Sequence, residues 1–229
     1  MTTIGIIAAL SVEVDDIKRE LKNEKEVTIA KTTLYSGQIG QYNVITMQCG
    51  MGKVSAALGT QTMIDTFHPD YIINTGCAGA IKSGLQVGDI VLSTSTVEWD
   101  LDTIEIGNPR GYVSAMDRVE MKADETLIKL LESYIPKKVY KGVVASGDQF
   151  VSKDEQRKTI LSSFPDALCA EMEGGAVGHV CAQNKVPFCI LRSMSDTADG
   201  NSGVDFASFA QKAGEQSAAI LLSMLKGTL

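Results

Sequence analysis

Five carboxylates stand in segments that directly follow a predicted strand or open a predicted helix. They are Glu13, Asp148, Glu171, Glu173 and Asp196. Carboxyl groups in such positions are available for acid–base chemistry, in which one acid protonates a leaving group and one base activates a water molecule. Residue type alone does not select two of the five for this work.

The same carboxylates also have structural interpretations. Glu13 and Glu173 fall at predicted helix starts, where a carboxylate interacts favourably with the helix dipole. Asp196 follows a strand, a place where aspartate commonly forms a turn, and Asp148 is suited to capping a loop. Arg192 is expected to pair with an acid whatever the protein does. The residues alone leave these alternatives open.

Apolar patterning predicts strands that alternate with helices along most of the chain. Predicted strands cover residues 4–9, 27–30, 33–37, 44–48, 71–74, 89–93, 141–145, 168–170 and 188–192. Predicted helices cover residues 11–21, 53–67, 124–133, about 152–163 and 173–183, and a last helix is capped by Asp205. On the helix at 53–67, we expect Val54, Ala57, Leu58 and Ile64 to face inward.

This alternation predicts a single α/β domain spanning residues 1–229, with a mixed central β-sheet flanked by helices. Ligands of such sheets bind beyond the carboxyl ends of the strands. The segments that follow the strands, including those with the five carboxylates, are therefore the expected functional site.

Composition narrows the classes of partner. The 229 residues carry a formal net charge of −7, which disfavours nucleic acid as a partner. The chain shows no signal peptide and no 18-residue apolar stretch, so we expect no membrane association. Five cysteines without a C-x-x-C pair indicate reduced thiols and a cytoplasmic location, and two distant histidines make a structural metal site improbable.

Seven short motifs, taken in order, resemble those of one enzyme family. They are Ile-Gly-Ile-Ile-Ala-Ala-Leu-x-x-Glu (4–13), Gly-Met-Gly-Lys (50–53), Ile-Asn-Thr-Gly-Cys-Ala-Gly (73–79), Val-Gly-Asp-Ile-Val (87–91), Ser-Gly-Asp-Gln-Phe (146–150), Glu-Met-Glu (171–173) and Arg-Ser-Met-Ser-Asp (192–196). Their order and spacing resemble the 5′-methylthioadenosine/S-adenosylhomocysteine nucleosidases, and the similarity covers nearly the whole chain.

The resemblance implies a nucleoside phosphorylase-like fold, a homodimer and an enzyme that uses no cofactor or metal. It implies hydrolysis of methylthioadenosine and S-adenosylhomocysteine to adenine and a thio-ribose, in methionine salvage. It also makes Glu13 the base that activates water and Asp196 the acid that protonates adenine at N7.

The substrate contacts implied by the resemblance come from most of the motifs. In this chain they are Glu173 and Met172 at the ribose, Phe150 and the Val151 backbone at adenine, Ser195 and Arg192 orienting the acid and the water, Gly79 and Cys77 in the loop beneath the base, and Leu10, Met51 and Phe206 around the 5′ substituent.

Two segments depart from the family pattern. Cys77 stands where the family usually has serine, and a thiol is a weaker hydrogen-bonding group than a hydroxyl. Trp99-Asp100-Leu101-Asp102 stands where His-Asp-Ala-Asp is common. The first departure touches the expected site, and the second is expected to touch the dimer contact.

Two other classes of protein share parts of this sequence pattern. A purine nucleoside phosphorylase needs a phosphate site, yet Glu13 stands where phosphate binding would begin and no arginine precedes Arg19. A dinucleotide-binding module would fit Gly50-Met51-Gly52 before a helix, but Ser55 replaces the third glycine of that fingerprint. A nucleosidase would release free adenine, and a binding module would not.

Overall fold

The computed structural model describes residues 1–196 and 206–228. Within them are ten strands: β1 (Thr3–Ala8), β2 (Lys22–Ile29), β3 (Thr32–Ile39), β4 (Tyr42–Gln48), β5 (Tyr71–Ala80), β6 (Ile90–Glu98), β7 (Met121–Lys122), β8 (Val139–Ser146), β9 (Ala167–Glu171) and β10 (Phe188–Asp196). The α-helices are α1 (Asp15–Arg19), α2 (Lys53–Phe67), α3 (Glu125–Glu132), α4 (Asp154–Ser163), α5 (Gly174–Asn184) and α6 (Phe206–Lys226).

All ten strands belong to one mixed sheet. Its order is β10-β6-β8-β9-β5-β1-β4-β3-β2, and β7 pairs with β6. Because β10 also pairs with β5, the strands β10, β6, β8, β9 and β5 form a closed circuit. Parallel pairs, such as β1 with β5 and β8 with β9, coexist with antiparallel ones, such as β5 with β9.

Helices cover both faces of this sheet, which is the predicted α/β arrangement. In β1, Ile7 packs in a core with residues of α2 and α5, whereas the preceding Ile6 packs in a second core with residues of α1, α3 and α6. Successive side chains of a strand point to opposite faces, so a strand buried on both sides needs a continuous apolar run. The run at residues 4–9 meets that need.

The buried face of α2 differs from the prediction. Val54 and Leu58 are 70% and 65% exposed, and the residues that face the core are smaller ones such as Ala56 and Gly59, together with Met63. The close approach explains the difference, because a Cβ added at Gly59 would lie only 2.4 Å from the Met47 methyl group. Hydrophobicity alone placed Val54 and Leu58 wrongly, whereas Ile64 is buried as predicted.

The predicted helix at 11–21 is also interrupted. A 3₁₀ turn covers Ser11–Glu13, and α1 begins only at Asp15. The break follows from Glu13, whose side chain accepts a hydrogen bond from the Leu10 backbone N–H at 2.9 Å and so turns back on its own segment. The helix predicted at about 152–163 is α4, which begins at Asp154 with Lys153 as its N-cap residue. Asp205, the predicted cap of α6, lies outside the described residues.

Of the helices in the described part of the chain, none combines the length and apolar character that crossing a membrane requires.

Candidate functional site

The strand ends meet around one pocket with about 600 Å³ of space between protein atoms. Twelve of the thirteen residues expected at the site line it: Leu10, Glu13, Met51, Cys77, Gly79, Phe150, Val151, Met172, Glu173, Arg192, Ser195 and Asp196. The thirteenth, Phe206, begins α6, and its side chain lies outside the described part of the structure. The carboxyl ends of β1, β5, β9 and β10 thus converge as the topology requires.

Arg192 forms the buried centre of the site. It is 1% exposed, and its Nη2 donates to Asn74 Oδ1 at 2.6 Å and to a carboxylate oxygen of Glu171. The nearest Glu173 oxygen lies 3.7 Å from the same nitrogen. A buried guanidinium needs such partners, since an unpaired buried charge is strongly unfavourable.

Glu171 is a positioning group, although it was one of the five candidate carboxylates. Besides Arg192, it accepts from the Gly174 backbone N–H at 2.7 Å and the Glu173 backbone N–H at 3.1 Å, and from the Ser146 hydroxyl. These four donors occupy its oxygens and hold the start of α5. Asp148 is exposed and lies outside the pocket lining, so three candidates remain: Glu13, Glu173 and Asp196.

Glu13 is 2% exposed and is held by two backbone donors. Its Oε2 accepts from Leu10 N at 2.9 Å, and its Oε1 accepts from Cys77 N at 3.2 Å. Burial raises the pKa of Glu13 above its usual value, while the backbone donors and the Arg192 charge oppose that rise. A carboxylate with a raised pKa is a stronger base than an exposed one.

Glu173 caps α5 and reaches across the pocket to α2. Its Oε1 accepts from the Gly52 backbone N–H at 2.9 Å. Gly52 has a φ of +95°, a conformation that favours glycine, and this conformation aims its N–H at the carboxylate. Burial, followed by the nearby negative charge of Glu171, raises the pKa of Glu173.

An irregularity in β10 brings two consecutive side chains into the pocket. The pairing register with β5 shifts between Met194 and Asp196. In a regular strand Ser195 and Asp196 would point to opposite faces, and a bulge redirects one of them. Both line the pocket, and the Ser195 hydroxyl donates to Asp196 Oδ2 at 2.9 Å.

Gly76 leaves the space in which two functional groups approach the backbone. A Cβ at this position would lie 2.8 Å from Glu13 Oε1 and 3.2 Å from Arg192 Nη1. The next residue, Cys77, contributes its backbone N–H to Glu13, a contact that does not depend on the thiol and that any residue except proline could make. Burial raises the pKa of the Cys77 thiol to about 12, so the sulfur stays protonated near neutral pH.

The remaining lining residues form an apolar mouth. Val151 is buried, Leu10 and Met172 are half-buried, and Phe150 and Met51 are 44% and 66% exposed. This part of the pocket offers surfaces for flat or apolar groups. Among the described residues, no cluster of three or more His, Cys, Asp or Glu is arranged to hold a metal ion.

Sequence reasoning missed two residues that hold the site together. Asn74 accepts from Arg192 and donates to the Ile7 carbonyl at 2.9 Å, and Ser146 joins Glu171 to the Gly175 backbone N–H. Both are fully buried polar residues that directly follow an apolar run, Asn74 within β5 and Ser146 at the end of β8. That position is the signal that would have found them, because buried polar groups are retained only with partners.

Comparison with known proteins identifies the family of this chain. The family model of the phosphorylase superfamily matches residues 3–226. The 5′-methylthioadenosine/S-adenosylhomocysteine nucleosidase of Staphylococcus haemolyticus is 38% identical over 226 residues, which cover 97% of this chain and 99% of the relative.

Two solved structures share the fold over almost their whole length. One is the corresponding nucleosidase of S. pneumoniae with the transition-state inhibitor MT-ImmA, with a TM-score of 0.92 and 32% identity, covering 98% of this chain and 99% of that one. The other is the futalosine hydrolase of Helicobacter pylori, with a TM-score of 0.93 and 30% identity, covering 99% and 98%.

The fold is thus that of the phosphorylase superfamily, to which this chain belongs. Within the superfamily, it is a member of the 5′-methylthioadenosine/S-adenosylhomocysteine nucleosidase family. The family resemblance, the nucleoside phosphorylase-like fold and the enzyme class, an N-glycosyl hydrolase, are confirmed.

The raised pKa of Glu13 predicts that its charge destabilises the fold. A carboxyl whose pKa is higher in the folded than in the unfolded protein costs folding free energy above that raised pKa, and the cost disappears below the unfolded value. Glu13→Gln, which keeps an acceptor oxygen, should therefore match or exceed the wild type in urea unfolding at pH 7.5, and any gain should vanish towards pH 4.

Glu171→Gln is the matched control, because it leaves Arg192 buried without its ion pair. Loss of one partner of a buried pair typically costs about 3–5 kcal/mol of unfolding free energy. A Glu13→Gln protein that unfolds at clearly lower urea than the wild type at pH 7.5 would contradict the assigned cost of burial.

Proposed function

We propose that this protein hydrolyses the N-glycosidic bond of 5′-methylthioadenosine and S-adenosylhomocysteine, releasing adenine and the thio-ribose, in methionine salvage. Relatives named 5′-methylthioadenosine/S-adenosylhomocysteine nucleosidase match nearly the whole chain. One solved structure of such a nucleosidase contains a transition-state inhibitor. We place the reaction in the cytoplasm, which the five free thiols support.

The balance of charge in the pocket is the observation that carries this proposal. Four carboxyl groups, those of Glu13, Glu171, Glu173 and Asp196, line it. Even with Asp196 protonated for its role as the acid, the other three face a single positive charge among the described lining residues, that of Arg192. That charge is already paired with Glu171. A phosphate dianion would be repelled here, whereas a sugar ring that becomes oxocarbenium-like is stabilised. Hydrolysis is favoured over phosphorolysis for this reason.

Glu13 is the proposed base for the attacking water. Its two backbone donors fix the carboxylate, yet each oxygen keeps further acceptor capacity for a water molecule. The raised pKa brings its basicity closer to the operating pH, where a general base works best. Activated water would then attack the anomeric carbon of the ribose.

Asp196 is the proposed acid for the leaving group. A departing adenine anion is a poor leaving group, so a proton must reach N7 as the bond breaks. Asp196 is 7% exposed, and the Ser195 hydroxyl fixes one of its oxygens at 2.9 Å. The irregularity in β10 accounts for the direction of the Asp196 side chain, which lines the pocket together with that of Ser195.

The remaining contacts follow from the walls of the pocket. Glu173, with Met172 beside it, is suited to the ribose hydroxyls, because a carboxylate accepts strong hydrogen bonds from a diol. We assign Phe150 and the Val151 backbone to adenine, over the loop with Gly79 and Cys77. Arg192 orients the carboxylates around the water. Leu10, Met51 and Phe206 are proposed to surround the 5′ substituent.

Reaction class is tested directly by product analysis. Purified protein with methylthioadenosine should release adenine and free methylthioribose at the same rate with and without inorganic phosphate. The reason is that the negative charge of the pocket disfavours binding of phosphate. Chromatography with mass detection distinguishes the products. Formation of a ribose 1-phosphate in the presence of phosphate would assign the protein to phosphorolysis.

The acid and the base are tested by isosteric variants. Glu13→Gln and Asp196→Asn should each lower kcat by about 10²–10⁴-fold, the usual contribution of a general acid or base, while adenine still binds. Asp15→Asn, an exposed carboxylate two residues after Glu13, is the matched control and should keep wild-type turnover. A folded variant of either residue with wild-type kcat would remove that residue from the mechanism.

We also propose that the protein is a homodimer that pairs through the outer face of α2. Val54 and Leu58, one turn apart, are 70% and 65% exposed, and the neighbouring Met51 is 66% exposed. Such a patch of large apolar side chains marks an interaction surface. Because Met51 also lines the pocket, a second copy seated here would cover the pocket mouth.

The dimer is tested by light scattering on size-exclusion chromatography. The wild type should elute as a dimer at micromolar concentration, and Leu58→Glu should be monomeric, since a charge cannot be buried unpaired in the interface. Val87→Glu, at an exposed valine outside this patch, is the control and should stay dimeric. A monomeric wild type, or a dimeric Leu58→Glu protein, would exclude this interface.

A further inference from the structure

Outside the pocket, Asp100, Lys53 and Asp148 form a closed ring of hydrogen bonds. The Lys53 ammonium donates to Asp100 Oδ1 at 2.6 Å, and the Asp148 backbone N–H donates to Asp100 Oδ2 at 2.7 Å. The Lys53 backbone N–H closes the ring by donating to Asp148 Oδ1 at 2.7 Å. One carboxylate, that of Asp100, therefore holds two separate segments of the chain.

The two segments carry different parts of the pocket. Lys53 follows Gly52, whose N–H binds the Glu173 carboxylate at 2.9 Å. Asp148 precedes Gln149, Phe150 and Val151, which line the pocket on another side. A shift of either segment relative to the other would change the distance between the group that holds Glu173 and the residues around Phe150.

Two of the three charged side chains of the ring, those of Lys53 and Asp100, are shielded from water, whereas Asp148 is exposed. The side chains of Lys53 and Asp100 are each 15% exposed, and Lys53 also donates to Glu98 at 3.0 Å. Glu98 in turn contacts His179 Nδ1 at 3.0 Å. Charge-assisted hydrogen bonds that are shielded from water are stronger and more rigid than exposed ones.

Tight packing adds to this rigidity. A Cβ at Gly147 would lie 2.5 Å from Trp99 Nε1 and 3.0 Å from the Asp100 carboxyl carbon, so the backbone before Asp148 rests directly on these two side chains. Trp99 is 4% exposed and belongs to the core of this chain. Its indole is thus covered within the subunit, and the expectation that the segment 99–102 touches a dimer contact stays a prediction.

We propose that Asp100 is a positioning residue that couples recognition of the ribose, through Gly52 and Glu173, to recognition of the base, through residues 149–151. This inference rests on the proposed function. Asp100 contacts no substrate and acts through the two segments that it joins. Discrimination between a ribose and a 2′-deoxyribose substrate thus depends on Asp100, which lies outside the pocket.

Asp100→Asn breaks one hydrogen bond of the ring and replaces the Lys53–Asp100 ion pair by a neutral hydrogen bond. The amide oxygen still accepts from Lys53, but the amide nitrogen cannot accept from the Asp148 N–H. We expect kcat/KM for methylthioadenosine to fall by about 10- to 100-fold, as for a small misplacement of bound substrate. We also expect the ratio of kcat/KM between methylthioadenosine and its 2′-deoxy analogue to fall several-fold, because Glu173 loses its fixed position.

Asp102→Asn is the matched control. It lies two residues away, its partner is Arg110 at 2.6 Å, and its side chain is 44% exposed. This variant should keep the wild-type rate and the wild-type discrimination against the 2′-deoxy analogue. Urea unfolding and oligomeric state are measured for both variants, since a merely structural residue would change those without changing the discrimination ratio.

The double variant Asp100→Asn/Asp148→Ala provides a second readout. If the ring acts as a unit, it should be no worse in kcat/KM than the poorer single variant. An Asp100→Asn enzyme with the wild-type discrimination ratio, or single effects that multiply in the double variant, would overturn the proposal. A wild type without activity on methylthioadenosine would instead overturn the proposed function, so the two failures are distinguishable.

Discussion

The site depends on one buried guanidinium. Arg192 is covered on all sides and contacts Asn74 and Glu171, while Glu173 lies within 4 Å. Without it, the carboxylates that meet at the strand ends would repel one another in a region of low dielectric. With it, they are held together but not neutralised, because one positive charge serves several negative ones.

That incomplete compensation gives the pocket its chemical character. The pKa values of Glu13 and Glu173 are raised by burial, and the charge of Glu171 adds to the effect at Glu173. A buried carboxyl group with a raised pKa lowers the stability of the fold when it is charged, but it is better suited to proton transfer near neutral pH. Shifted pKa values of this kind concentrate at functional sites. The excess of negative charge also distinguishes a surface that accepts a cationic sugar from one that accepts phosphate.

Much of this arrangement is readable from the sequence because it follows from local patterns. The apolar run at residues 4–9 predicts β1, and the motif that ends in Asp196 predicts a functional strand end. Twelve of the expected site residues meet in one pocket, although their individual roles stay predictions. Hydrophobic patterning failed for part of α2, where close packing selects Ala56 and Gly59 for the core and leaves Leu58 outside, although Ile64 is buried as predicted.

Other features escape prediction because they arise only from tertiary contacts. The register shift in β10 that turns both Ser195 and Asp196 into the pocket has no sequence signature. The division of labour between Glu171 and Glu173 depends on which of them Arg192 contacts directly. The buried setting of Trp99 follows from the bare backbone at Gly147, which lies nearly fifty residues away in the chain.

The closed circuit of strands has a consequence for synthesis of the chain. β10 joins β5 to β6 and carries both Arg192 and Asp196, yet among the strands it is the last to leave the ribosome. Until then β5 and β6 each lack a neighbour, and the carboxylates of β9 and α5 have no guanidinium. The site therefore cannot form early around a nascent fragment: it appears only when nearly the whole sequence is available. Closure of the sheet and assembly of the charged groups of the pocket are one event.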